Sequence, residues 1–87
     1  LKNTDFENKV VEGLKNKIKI NDIRQIIADS GATQFESLFR CLYDSVEEYT
    51  TNVGDAIIII AQYQYEYSFV VDKEICIAAM LNKLLKL

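Results

Sequence analysis

Tyr63, Tyr65 and Tyr67, interleaved with Gln62 and Gln64, come nearer to a ligand-handling pattern than anything else in this chain. Alternating aromatics can stack the bases of single-stranded nucleic acid, at roughly 1–3 kcal/mol per base. Such a platform needs lysine or arginine among its rings to hold the phosphates, and the one charge in the stretch is Glu66. On a helix the three rings would also point in different directions. Packing, in a core or between subunits, is the better use for them. The remaining chemical inventory is thin. Histidine is absent, and with it the commonest general base, proton shuttle and metal ligand. Glu47 and Glu48 are adjacent, so on a helix they face different ways and cannot share a proton or a metal. Ser30, Ser37, Ser45 and Ser68 have no recognisable activating base nearby, and Gly13, Gly31 and Gly54 form neither a P-loop nor a dinucleotide-binding pattern. Cys41 and Cys76 stand singly inside apolar helical patterns, as buried reduced thiols of an intracellular protein would. No catalytic residue, metal ligand or cofactor is expected.

The elements that must carry these residues read as helices. Thr4 and Glu7 have capping-box spacing, and Phe6, Val10, Val11 and Leu14 follow as one apolar stripe. A joint over residues 16–21 leads to a second helix, capped by Asn21 or Asp22, with Ile23, Ile26 and Ile27 and a left-handed stop at Gly31. Thr33 and Glu36 repeat the capping box. Behind them Phe35, Leu38, Phe39, Leu42, Val46 and Tyr49 make one apolar face over four turns of a single third helix. Asn52 is placed to cap the fourth element. There the run Ile57–Ile60 and the alternating aromatics have strand propensity and strand period. A lone strand would leave its amides without partners, so a helix ending about Ser68 is the expectation. That helix has two apolar faces, one of Ala56, Ile59, Ile60, Tyr63 and Tyr67, the other of Ile58, Ala61, Tyr65 and Phe69. Asp72 caps the last helix, with Val71 and Cys76 at staple positions, Ile77, Met80, Leu81 and Leu84 inside, and Lys83 and Lys86 near its C-terminal end. The expected architecture is all-α, a five-helix antiparallel bundle forming one domain over residues 1–87.

Composition bounds the function. At 87 residues, folding buries roughly 60% of the unfolded chain's surface, so stability is modest and surplus apolar area favours association. A net charge of −3 gives no general attraction to nucleic acid. The charges are unevenly spread: Lys9, Lys15, Lys17, Lys19 and Arg24 lie in the first third, and Asp44, Glu47, Glu48, Asp55 and Glu66 in the middle. They make either two solvated faces or complementary faces that meet between neighbouring subunits. The longest uncharged run, residues 56–65, is too short to span a bilayer, and no signal peptide is visible, so a soluble cytoplasmic chain is expected, with no membrane partner. The first residue is Leu1 rather than Met, as in a piece of something longer.

The order of these patterns resembles the C-terminal collar domain of replication factor C small subunits, and more closely that of the T4-like phage clamp loader. Residues 11–17, Val-Glu-Gly-Leu-Lys-Asn-Lys, are similar to the end of that family's first collar helix, and residues 23–27, Ile-Arg-Gln-Ile-Ile, to its short second helix. Residues 35–43 correspond to the third, and residues 61–84 to the last two with their corner. Glu66 stands where cellular members often carry an Arg and Val70 where they often carry a Gly, departures that favour a phage-like or otherwise divergent source. The resemblance implies a non-catalytic oligomerisation domain, separated from the ATPase region of its subunit. Its partners would be other clamp-loader subunits, like or unlike, with the sliding clamp and primer–template DNA reached only through the complete complex. It would work in bacterial or phage-infected cytoplasm, or in a nucleus if eukaryotic. Tyr63, Tyr67 and Phe69 are the candidate subunit-interface residues. The alternative expectation is a free-standing helical adaptor or regulator that binds a partner helix. Direct DNA binding through the lysine-rich first third would show as steep salt dependence.

Overall fold

A computed structural model describes residues 2–87, with side chains from Asp5 onward, and among these residues every regular element is a helix. They are α1 (Lys2–Lys15), α2 (Ile20–Ser30), α3 (Glu36–Asp44), α4 (Val46–Tyr49), α5 (Val53–Tyr67) and α6 (Lys73–Leu85). There are six, not five. The expected third helix is broken at Ser45, whose φ of −102° and ψ of 12° leave the helical region. Tyr49 supplies a reason. Its hydroxyl donates to the Leu42 carbonyl at 2.8 Å, the acceptor that an unbroken helix would offer the Val46 amide. The phase survives the break, and Phe35, Leu38, Phe39, Leu42, Val46 and Tyr49 are all buried.

α6 is the packing centre. Ile77, Met80, Leu81 and Leu84 are buried along it, and it meets α1, α2 and α5. α5 packs on α6, α3 and α4, and α1 lies against α2, α3 and α4. The strand-like sequence of α5 folds as helix because that arrangement satisfies its amides internally while Ala56, Ile60 and Tyr67 enter the core. It ends at Tyr67, and Ser68 follows as the cap residue.

Local start signals fared worse than apolar periodicity. α1 runs from Lys2, so Thr4 lies inside it; the Thr4 side chain and Leu1 are outside the described residues. Glu7 turns inward and accepts a hydrogen bond from Ser37 Oγ on α3, so the first capping box is replaced by a tertiary contact. At α2 the cap residue is Lys19, without a side-chain bond; Asn21 is already helical and accepts from Arg24 Nη1 at 2.9 Å. At α3 the cap residue is Phe35, not Thr33, and its amide donates to Tyr67 Oη at 2.9 Å. Burying the Phe35 ring sets where that helix begins. Asn52 precedes α5 without capping it, and its amide group reaches the Leu87 carbonyl at 3.4 Å. Asp72 does cap α6, accepting from the Ile75 amide at 3.1 Å. The staple fails there, because Val71 is fully exposed. Gly31 stops α2 at φ 69°, as expected.

α1 ends at Lys15, where the expected joint begins, but the turn that ends it was not legible. Lys17 sits at φ 55°, with its amide on Leu14 O (3.2 Å) and the Ile18 amide on Gly13 O (3.1 Å), the paired bonds of a Schellman turn. Ile18 folds back so closely that a Cβ on Gly13 would lie 2.8 Å from its Cδ1. Left-handed backbone costs a non-glycine residue about 1–2 kcal/mol. Glycine's extra freedom in the unfolded chain offsets part of that. Lys17→Gly is therefore expected to stabilise the domain by about 0.5–1 kcal/mol in urea titration.

Candidate interaction surface

The three candidate interface residues do not share a face. Tyr67 belongs to the core: it is 5% exposed, its ring lies edge-on to Phe39 at 5.2 Å, and its hydroxyl holds the Phe35 amide. Lys73 folds back over that ring at 4.7 Å and donates to the Tyr67 carbonyl. Removing the hydroxyl strands a buried donor, so Tyr67→Phe is expected to cost about 1–3 kcal/mol, read from the shift of the denaturant midpoint. Tyr63 is half-buried against α6, with Lys83 Nζ 5.9 Å from its ring centre. Phe69 points outward, edge-on to Tyr65 at 5.2 Å.

The outward side of α5 and of the turn after it is instead a stripe of Ile58, Tyr65 and Phe69, between 64% and 72% exposed. Ile58 and Tyr65 stand seven residues apart on one side of α5, and Phe69, in the turn that follows the helix, packs edge-on against Tyr65. The sequence had already separated this second face from the core-facing one. Ile75, also largely exposed, was missed because it lies on α6, and only the tertiary packing places it near α5. Two clefts border the stripe. One, of about 400 Å³, runs toward α3 between Phe39, Arg40 and Tyr43 on one wall and Ile57, Ala61 and Gln64 on the other. The second, of about 470 Å³, lies toward α6 between Tyr63, Glu66, Val71, Ile75 and Ala79.

The reactive side chains are occupied with structure. Ser30 Oγ donates to the Ile27 carbonyl, Ser68 Oγ to the Tyr65 carbonyl, and Ser37 Oγ to Glu7. Burial pushes the half-buried Cys41 thiol above its usual range, and the nearby Glu7 charge pushes the same way. Cys76 is raised by burial and then by Glu66, and the Tyr49 phenol is raised by burial. Thiols shifted upward are poor nucleophiles at neutral pH. Among the described residues no group of three Cys, Asp or Glu side chains is placed to hold a metal ion, and no helix is long and apolar enough to cross a membrane. What the arrangement can do is present aromatic and aliphatic area to another macromolecule.

No family model, curated protein or solved structure matches the chain.

Proposed function

We propose that this chain is the non-catalytic assembly domain of a sliding-clamp loader small subunit, holding loader subunits together during DNA replication. The observation that carries the reading is the outward stripe of Ile58 and Tyr65 on α5 with Phe69 in the turn after it. Large apolar side chains grouped on one side of a small domain mark a contact surface, and aromatic residues dominate the energetics of such surfaces. Phe69 would meet a sister subunit directly, Tyr63 would border the contact, and Tyr67 would anchor α5 beneath it. The helix order supports the same reading. With α3 and α4 counted as one broken helix, five segments follow the collar's sequence of elements, and an antiparallel collar-like bundle is the arrangement proposed for them. ATP and the clamp would be bound by the region of the subunit that precedes this domain, and DNA by the complete complex.

The cleft between α3 and α5 favours a second reading, a free-standing helical adaptor. A partner helix would lay an apolar side chain between Phe39, Tyr43 and Ile57. The coding frame immediately upstream of Leu1 discriminates the two. An open frame encoding a P-loop and a second acidic ATPase motif supports the collar reading. A start codon at or near Leu1 overturns it in favour of the adaptor.

A further inference from the structure

The cleft between α5 and α6 differs in charge from the one toward α3. The α3 cleft has both signs on its walls, Glu36 and Arg40. The α6 cleft has only carboxylates, Glu66 on the α5 wall and the cap residue Asp72 at the corner. Neither is in an ion pair among the described residues. Glu66 is half-buried, and its charge reaches the Cys76 thiol in the opposite wall. The rest of that wall is apolar, with Ile75 and Ala79 one turn apart on the same side of α6. At the mouth Val71 is fully exposed and Ile75 is 68% exposed.

The domain does not neutralise this cleft itself. Lys73 is folded over the Tyr67 ring and Lys83 stands 5.9 Å from the centre of the Tyr63 ring, and neither lines the cleft. A second copy offers no matching surface either. Its lysine-bearing strips are Lys15, Lys17 and Lys19 around Ile18 and Ile20, and Lys83 and Lys86 around Leu85 and Leu87. Those four apolar side chains are half-buried against their own core and cannot leave it to fill a cleft. Arg40 does stand beside an exposed aromatic, Tyr43, but it lies over that ring at 5.3 Å and pairs with Asp44 at 3.2 Å.

We propose that the α5–α6 cleft docks a basic amphipathic helix of a different protein. One of its leucine-sized side chains enters between Tyr63 and Ala79, its apolar face covers Val71 and Ile75, and its lysines or arginines meet Glu66 and Asp72. A groove between two helices suits a third helix, and no strand edge is present among the described residues for an extended segment to join. The carboxylates gain strength as partners once water leaves the cleft. They also repel nucleic acid and anionic lipid surfaces. The inference goes beyond the assembly role proposed above: the stripe meets a sister subunit, and the cleft beside it takes a protein of another sequence.

Fluorescence anisotropy with two labelled synthetic helices tests it, one with leucine along one side and lysine elsewhere, the other with glutamate in place of lysine. The wild-type chain is expected to bind the lysine helix at least about tenfold more tightly than the glutamate helix. Glu66→Gln with Asp72→Asn, which keeps a capping side chain on α6, is expected to weaken that binding at least about tenfold. Glu47→Gln with Glu48→Gln removes the same charge from α4, outside the cleft, and is expected to change it by no more than about twofold. Ala79 is exposed, so Ala79→Trp fills the cleft rather than the core and is expected to weaken binding at least about tenfold at unchanged charge. Equal losses from the two neutralised pairs, or an Ala79→Trp variant that binds as the wild type does, would overturn the cleft assignment. A glutamate helix bound as tightly as the lysine helix would overturn the basic partner. Self-association of the wild-type chain that Ala79→Trp abolishes would overturn the different-protein assignment and give the cleft to a second copy. Failure of the lysine helix to bind would overturn the inference and leave the stripe contact standing, since that contact is read from association of the chain itself.

Discussion

Phe35→Ala is expected to destabilise the domain by about 3–5 kcal/mol, the usual cost of emptying a buried phenylalanine site. The ring is 1% exposed and lies edge-on to Phe6 at 6.1 Å, which ties α3 to α1. Its own amide is held by Tyr67, which ties the same point to α5. Three helices therefore converge on this residue, and none can close the cavity without giving up the hydrogen bond or the edge-on contact. Small domains have about 5–15 kcal/mol of stability in all, so the loss is a large part of the whole. Ile58→Ala removes a side chain of similar hydrophobic character from the surface and should change stability by no more than about 0.5 kcal/mol. Urea unfolding with an unchanged slope would read both. A Phe35→Ala loss below about 1 kcal/mol would mean that the α1–α3–α5 junction is not where the core is held.

Tyr65→Glu combined with Phe69→Glu should do the reverse, leaving the fold and removing the assembly. Both rings are largely in water in the single chain, so the folded domain loses only their mutual edge-on contact, about 0.5–1.5 kcal/mol. In an assembled state the same rings become the centre of a contact. Central aromatic anchors are worth about 2 kcal/mol or more each, and a buried unpaired carboxylate costs further. Association is expected to weaken at least about a hundredfold, with a circular dichroism spectrum like that of the parent. Equal association of variant and parent would sink the assignment of this face.

Apolar spacing made the helices legible and local chemistry did not. Most of the residues spaced to fill one side of a helix, from Phe6 to Leu84, are the ones the fold buries, because burial along a helix depends mainly on phase; Ile26, Ile59 and Tyr63 are only half-buried. The caps failed where a tertiary partner offered more than a neighbouring side chain could. Glu7 found Ser37, the Phe35 amide found Tyr67, and Asn52 found Leu87. Each of those partners is at least thirty residues away, beyond what a four-residue motif can register. The Ser45 break had the same origin, a hydroxyl seven residues on competing for a helix carbonyl. At the surface, the division of α5 into two apolar faces was readable from period. Which face would stay in water was not, since both are equally apolar and only the positions of α3 and α6 choose between them. Tyr67 consequently belongs to the core, and Tyr65 replaces it at the surface.

Hydroxyl-radical footprinting of Tyr65 and Phe69 across the association transition of the wild-type chain tests the central claim, that the outer side of α5 is the assembly contact. Oxidation of both rings is predicted to fall as copies associate, while that of Tyr43, exposed beside the α3 cleft, stays constant. Association that leaves Tyr65 and Phe69 as reactive as in the monomer would contradict the account.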